Sequence, residues 1–177
     1  MEIIVEDTNI LIDLFNTGLI RHCQSLGVEF HSTWYVVTEI DDKDQQSLLS
    51  GMIANGILHI DQFSGEELVR FYELVYDYGS KSNLSETDCS VMFLAERLNC
   101  RLLTADQKLR KQAESRGIQV NGFLWLTDEM VRHNVVSKAA MSNYLKLYLR
   151  TNARAPEEEV QKRIDEYFSD INVFDNE

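Results

Sequence analysis

The stretch Ile3-Ile4-Val5-Glu6-Asp7-Thr8-Asn9-Ile10-Leu11-Ile12 decides the fold. Its first half is a short apolar run, the pattern of a buried strand, and its second half carries apolar residues at helical spacing. Asp7 stands at the junction. The chain therefore presents a carboxylate at the carboxyl end of its first strand, where open α/β sheets bind their ligands. The same arrangement recurs later: Arg101-Leu102-Leu103-Thr104 is a second strand candidate, and Asp106 follows it at the start of a basic helix. Two acidic strand ends on one rim of a sheet point to a cation site.

Outward from these two segments, further strands are expected over 28–31, 57–60 and 118–120, with helices over 9–15, 66–78, 87–98 and 107–116. Within 66–78, Leu68, Phe71, Tyr72, Val75 and Tyr76 recur at three-four spacing and predict a core-facing stripe. The segment 87–98 is apolar nearly all round, which predicts a central helix. Gly117 is a natural stop for the basic helix before it. Strands alternating with helices predict an α/β fold, with a central parallel sheet flanked by helices. After Leu124-Trp125-Leu126 the strands cease, and 128–133, 137–149 and 156–168 read as helices. Pro156 and the acids Glu157-Glu158-Glu159 mark the start of the last one. The expected organisation is an α/β domain over 1–125 with a helical C-terminal extension over 126–177 packed on it. Tyr144, Leu145, Leu147 and Tyr148 read as packing for that extension, with a homodimer or partner surface as the alternative.

A chain of 177 residues, 44% hydrophobic and with one proline, reads as compact and globular. Three irregularly spaced cysteines, Cys23, Cys89 and Cys100, predict reduced thiols in a cytoplasmic protein. No basic-apolar leader and no apolar run of about 18 residues is visible, so neither secretion nor membrane spanning is expected. The net charge of −12 opposes broad electrostatic binding of nucleic acid. Acids clustered in a cleft would nevertheless recruit a divalent metal and reverse the local sign. Around Asp106 the residues Arg101, Lys108, Arg110, Lys111 and Arg116 form a basic neighbourhood. Lys108, Arg110 and Arg101 are the candidates there for holding flanking phosphates.

Each acid of interest has an ordinary structural explanation. Asp7 and Asp106 suit the N-cap of the helix that follows. Ser85-Glu86-Thr87-Asp88 has the form of a capping box. Glu39 precedes Asp41, Asp42 and Asp44, the pattern of a solvated acidic face. Their joint pattern carries more. Asp7 and Asp106 end strands that become neighbours if the sheet reverses direction between them, and Asp88 opens the helix leading into the second of those strands. Carboxylates so grouped repel one another and raise a pKa unless a cation sits among them. Mg²⁺ takes a few carboxylates and keeps several waters. A site of that kind can activate water and stabilise a leaving oxygen, which phosphodiester hydrolysis needs.

Four segments in register carry a family likeness: Asp7-Thr8-Asn9, Val37-Thr38-Glu39-Ile40, Leu84-Ser85-Glu86-Thr87-Asp88 running into Phe93-Leu94-Ala95, and Leu102-Leu103-Thr104-Ala105-Asp106 followed by Lys108-Leu109. On these the chain resembles the PIN-domain nucleases, the VapC-like prokaryotic group in particular, over residues 1–125. The resemblance implies a PIN-like three-layer fold and a ribonuclease dependent on Mg²⁺ or Mn²⁺. It implies that Asp7, Glu39, Asp88 and Asp106 are the catalytic acids, with Asp7, Asp88 and Asp106 at the metal and Glu39 completing the site or orienting the attacking water. Asn9 and Thr104 would be polar supports, and Glu86 an acidic neighbour. RNA is then the substrate, and an antitoxin protein that covers the site is the implied partner. The alternative is a PIN-like binding or scaffold module that has lost catalysis.

Other chemistries fit less well. A phosphoacceptor receiver domain needs a lysine ending its last strand, and Ile118-Gln119-Val120-Asn121-Gly122 has none. A haloacid-dehalogenase-like phosphatase needs an Asp where Asn9 stands. His22, His31, His59 and His133 lack metal-ligand spacing, with His31 and His59 expected at strand tips. No glycine-rich phosphate loop occurs.

Overall fold

The computed structural model describes residues 2–174 and divides into two compact units, one of 1–12 with 27–123 and one of 13–26 with 124–177. The first unit holds five strands: β1 (Glu2–Glu6), β2 (Val28–Thr33), β3 (Leu58–Asp61), β4 (Arg101–Leu103) and β5 (Val120–Asn121). They form one sheet in the order β3-β2-β1-β4-β5, and every pairing is parallel. The order reverses at β1, which has β2 on one side and β4 on the other. Open α/β sheets bind ligands beyond the carboxyl ends of their strands at such a reversal. Register sharpens this: Glu6 pairs with Leu103, so Asp7 and Thr104 leave the sheet side by side.

Between the strands run α1 (Thr8–Thr17), a 3-10 helix (Leu19–Leu26), α2 (Trp34–Glu39), α3 (Lys43–Ala54), α4 (Gly65–Ser82), α5 (Glu86–Leu98) and α6 (Gln107–Ser115). The starts of α4 and α5 are sealed by capping boxes, Ser64 with Glu67 and Ser85 with Asp88. Two orphan amides are satisfied in each box. As expected, α5 is central: every residue from Cys89 to Ala95 is buried. The sequence reading names no helix at α2 or α3: six residues rich in aromatic and β-branched side chains are too few to show a helical period at α2, and the first turn and more of α3 is polar.

The stripe expected on α4 is corrected. Phe71 and Leu74 are buried, but Tyr72 is 52% and Tyr76 79% exposed. The apolar arc on this helix is wider than the core it serves. Only its Phe71–Leu74 side packs inward, where Phe71 meets Tyr35, Phe63 and Phe93.

His31 is also corrected. It lies inside β2, not at its tip, where its Nδ1 is 2.6 Å from Asp61 Oδ2 and its ring stacks on His59. Asp61 is held in turn by Arg97 of α5.

Glu6 is the anomaly of the sheet. Side chains alternate along a strand, so Glu6 shares a face with Ile4 while Val5 and Asp7 take the other. A central strand of a parallel sheet is covered on both faces. Glu6 is accordingly fully buried, and neither carboxylate oxygen has a partner among the described residues. Burial pushes its pKa up to about 8.

The second unit carries α7 from Leu124 onward (Phe123–Arg132), α8 (Lys138–Thr151) and α9 (Glu157–Phe174). The helix expected at 128–133 thus begins five residues earlier. Leu126, Met130, Met141, Leu145, Val160 and Ile164 are among its buried apolar residues. Arg163 of α9 grips Asp128 of α7 at 2.7–3.1 Å. Leu145 and Tyr148 are buried, which favours packing over a partner surface for that stretch.

Asp13 also belongs to this unit. It is buried and accepts two bonds from Asn152 Nδ2, at 2.9 and 3.2 Å. Burial raises its pKa to about 6 despite those bonds, against 3.8 ordinarily. The folded state therefore binds this proton more tightly than the unfolded state, and stability falls as pH rises from about 4 to about 6. Asp13→Asn keeps an acceptor for Asn152 and removes the charge. It should stabilise the protein by about 1–2 kcal/mol at pH 8 and by almost nothing at pH 4, allowing for solvent screening. Urea denaturation at the two pH values checks this. Equal effects at both would remove the charge as the cause. Across the described residues no helix is long and apolar enough to cross a membrane.

Candidate active site

Asp7 sits at the switch point with its backbone fixed first: its amide donates to Leu103 O of the neighbouring strand at 3.1 Å. Its carboxylate is then surrounded. Oδ1 accepts the Thr8 amide at 2.7 Å, while Oδ2 accepts Asn9 Nδ2 at 2.5 Å and Thr104 Oγ1 at 2.7 Å. Asn9 Oδ1 reaches across to accept the Ala105 amide at 2.9 Å, and Thr104 Oγ1 accepts the Asp106 amide at 3.0 Å. Asn9 and Thr104 thus lock the β1 and β4 rims into one piece.

The other acids arrive from separate elements. Glu39 ends α2 and accepts Thr8 Oγ1 at 2.6 Å through Oε2. Asp88 occupies the first turn of α5, where its Oδ2 accepts the Ser85 amide at 2.8 Å. Thr33 Oγ1 lies 2.7 Å from Ser90 Oγ, which pins that turn to the end of β2. Asp106 caps α6, its Oδ1 accepting the amides of Lys108 and Leu109. The capping explanations for Asp88 and Asp106 therefore hold, yet each uses a single oxygen. Asp88 Oδ1, Asp106 Oδ2 and Glu39 Oε1 accept no hydrogen bond among the described residues.

Electrostatics links the four acids. Burial raises the Asp7 pKa to about 6; Asp88 and Glu39 add to the rise, and the Thr104 and Thr8 bonds oppose it. Burial likewise raises Asp88, with Asp106 and Glu39 adding to it against the Ser85 bonds. Asp7 feels Asp88 and Glu39, and Asp88 feels Asp106 and Glu39. The acids share one field.

Among the described residues no three His, Cys, Asp or Glu side chains are grouped so as to hold a metal ion by themselves. The donors on offer are hard oxygens with unused lone pairs, under mutual repulsion that a cation would relieve. That set suits a small divalent cation which keeps water in its shell, as Mg²⁺ does. In that chemical sense the residues fit.

The expected phosphate grip is corrected. Arg101 stands at the start of β4, about 10 Å of strand away from the rim that Asp106 follows. Its guanidinium is bonded to Glu2 and Asn121. Arg110 is turned inward, donating to Val120 O at 3.0 Å and Thr104 O at 3.2 Å, so it braces the rim loop. Arg116 pairs with Glu96 at 2.6 Å. Lys108 and Lys111 stay exposed. Thr8 is the site residue to which sequence reasoning gave no role. Its signal was its place between Asp7 and Asn9, but its partner lies thirty-one residues away in sequence, beyond what local pattern reveals.

The family model of the PIN domain (DUF3368) matches residues 3–167. The chain belongs to the PIN-domain family. Among curated proteins this PIN domain is 28% identical over 96 residues to the endoribonuclease Nob1 of Pyrococcus abyssi, a match covering 54% of the chain and 60% of that relative's length. Among solved structures it is similar to VapBC2 from Rickettsia felis, bound to a DNA fragment from their promoter, with 20% identity and a TM-score of 0.47. That match covers 68% of this chain and 98% of the other. It is also similar to FitAcB from Neisseria gonorrhoeae, with 16% identity and a TM-score of 0.40, covering 66% and 95%.

Proposed function

We propose that this PIN domain is a ribonuclease that hydrolyses RNA phosphodiester bonds with the help of Mg²⁺ or Mn²⁺, and that Asp7, Glu39, Asp88 and Asp106 carry the reaction. The observation that supports it most is the shared field of four acids drawn from four separate elements, three of them with an oxygen left unused. A structural role explains one oxygen of each cap and leaves that crowding without a purpose. Family membership and the partial match to an endoribonuclease support the same reading.

Asp7, Asp88 and Asp106 would hold the cation, directly or through water. When bound, the cation supplies positive charge against the scissile phosphate and acidifies nearby water. The chain does the rest. Thr104, Asn9 and the Thr8 amide keep the Asp7 carboxylate fixed and ionised against the cost of burial. Thr8 Oγ1 holds Glu39 by Oε2, which leaves Oε1 to orient the attacking water and take its proton. Lys108, exposed beside Asp106, is the remaining basic candidate for a flanking phosphate.

The net charge of −12 disfavours a general RNA binder and favours a narrow substrate or a partner with basic surface. We take that partner to be an antitoxin-like protein and the compartment to be the cytoplasm, where RNA and the thiols of Cys23, Cys89 and Cys100, none of them in a disulfide, both belong.

The test is a digest of total cellular RNA with Mg²⁺, with Mn²⁺ and with chelator, the product ends mapped by sequencing. Cuts at defined sites that chelator abolishes are expected. Absence of cuts together with absence of cation binding by calorimetry would leave a PIN-like scaffold instead. A finer outcome concerns Thr8. Thr8→Val preserves shape and removes the donor to Glu39, so cleavage should fall about tenfold, the scale of a supporting-shell loss. Its urea midpoint should stay near wild type. A full-strength Thr8→Val enzyme would mean that Glu39 needs no such hold.

A further inference from the structure

Helix α5 brings Asp88 to the acid site in its first turn. It contacts β1, β2 and β4, and Val91, Met92, Phe93, Leu94 and Ala95 along it are all buried. Apolar burial holds a helix down but has no direction, so by itself it resists small slides and rolls only weakly. Polar ties to the sheet supply the direction. Near the start of α5, Thr33 Oγ1 at the end of β2 lies 2.7 Å from Ser90 Oγ. Near its end, Arg97 bonds to Asp61 of β3 and donates to Gln62 O at 3.1 Å. Thr33 and Asp61 are cross-strand partners, while Ser90 and Arg97 stand about 10 Å apart along the helix.

The tie at Thr33 is the one close to the acids. Val5 pairs with His31, and the same register two residues on sets Thr33 abreast of Asp7. Thr33 and Thr104 thus flank Asp7 from its two neighbouring strands. Thr104 bonds to Asp7 itself at 2.7 Å, whereas Thr33 reaches the helix that carries Asp88. Thr33 stands at the N-cap of α2, where a threonine oxygen ordinarily accepts an amide of the new helix, yet it makes no such bond. Its hydroxyl is used elsewhere. Ser90 Oγ donates its only proton to Thr87 O at 2.7 Å, so Thr33 is the donor to Ser90. The chain of bonds ends one residue before Asp88. Thr33 is 1% and Ser90 0% exposed. Burying hydroxyls costs free energy that bonding to each other only offsets, and valine with alanine would fill the same places without that cost. Register explains the pair better than stability does. We propose that Thr33 is a positioning residue: its hydrogen bond to Ser90 sets the register of α5 on the sheet and so holds Asp88 where it can share a cation with Asp7. This role rests on the nuclease reading of the acids and adds to it a residue that touches neither substrate nor cation.

Thr33→Val and Thr33→Ser test it as a pair. Valine keeps the shape and suits a strand but has no proton to give; serine gives the proton but leaves a methyl-sized void. A purely structural role ranks valine above serine, and a positioning role ranks them the other way. Three quantities are read on the full chain: RNA cleavage at a fixed Mn²⁺ concentration, Mn²⁺ affinity by calorimetry, and the urea midpoint. Thr33→Val should lose about tenfold in cleavage and bind Mn²⁺ about tenfold more weakly, the scale of a lost supporting bond, while its urea midpoint stays at or above that of Thr33→Ser. Thr33→Ser should cleave RNA and bind Mn²⁺ close to wild type. Ser90→Ala should resemble Thr33→Val, and the two together should be no worse than the more impaired of them, because both remove the same bond. Cleavage and Mn²⁺ binding by Thr33→Val at wild-type strength would overturn the proposal and leave Thr33 as core packing. So would losses that follow the urea midpoint across the variants, or that add in the double variant. A wild type that neither cleaves RNA nor binds Mn²⁺ would overturn the nuclease reading, and the positioning role with it; an active wild type with an equally active Thr33→Val overturns the positioning role alone.

Discussion

Asp88→Asn is expected to lower RNA cleavage by about 10²–10³-fold or more while the protein stays folded. The choice of asparagine follows from the two oxygens of Asp88. Oδ2 accepts the Ser85 amide at the start of α5, and an amide oxygen can do the same. Oδ1 accepts nothing among the described residues, and it is the charge there that the substitution removes. Asp88→Ala, by contrast, removes both functions and should also cost about 1 kcal/mol of stability through the lost cap. Comparing the two variants in cleavage and urea denaturation separates chemistry from capping. If Asp88→Asn cleaved RNA like wild type, Asp88 would be a cap only. The Asp7 pKa supplies a second sign. Asp88 and Glu39 help to hold it at about 6, so a carboxylate needed in its ionised form should lose activity as pH falls through that value. Bound cation favours the ionised form, so added Mg²⁺ should move the acid limb to lower pH.

Much of this site was legible because acids punctuate the strand ends. Asp7 after an apolar run and Asp106 after another predicted two carboxylates on one rim, and the order β3-β2-β1-β4-β5 makes those rims adjacent. The basic neighbourhood misled for the same reason that the acids informed. Arg101 and Asp106 are near in sequence, but a strand lies between them, and an extended chain separates its ends fast. Arg110 and Arg116 illustrate a second limit: a charged helix residue looks solvated in sequence whether it faces solvent or bonds to a neighbouring carbonyl. On α4 the spacing identified an apolar arc correctly, yet how much of an arc the core occupies depends on what packs against it. Tyr72 and Tyr76 could be turned outward only by the neighbours, Phe63 and Phe93, that fill the space around Phe71.

Glu6 was legible as well, had its position been weighed by alternation and not only by adjacency to Asp7. A carboxylate on the central strand of a parallel sheet has no exposed face to reach. The consequence is the second large effect. The folded pKa of Glu6 is about 8 against 4.5 ordinarily, with burial as the cause. Between those values the folded state holds a proton that the unfolded state has released, so stability falls with rising pH by up to about 1.4 kcal/mol per unit. Across the window the loss from this group alone is on the order of 3–5 kcal/mol, with the full stability present below about pH 4.5. Glu6→Gln carries no titrating proton at the same size. It should flatten the profile, leaving the smaller slopes of Asp7 and Asp13, both raised to about 6. At pH 5 the variant should be slightly less stable than wild type, because a buried amide brings two donors where the protonated acid brings one. At pH 8.5 the order should invert, with the variant ahead by about 2–4 kcal/mol. Urea midpoints measured from pH 5 to pH 9 decide it. Parallel wild-type and variant curves would mean that Glu6 finds a partner or water when it ionises, and that its burial is no longer the cause of a pH effect.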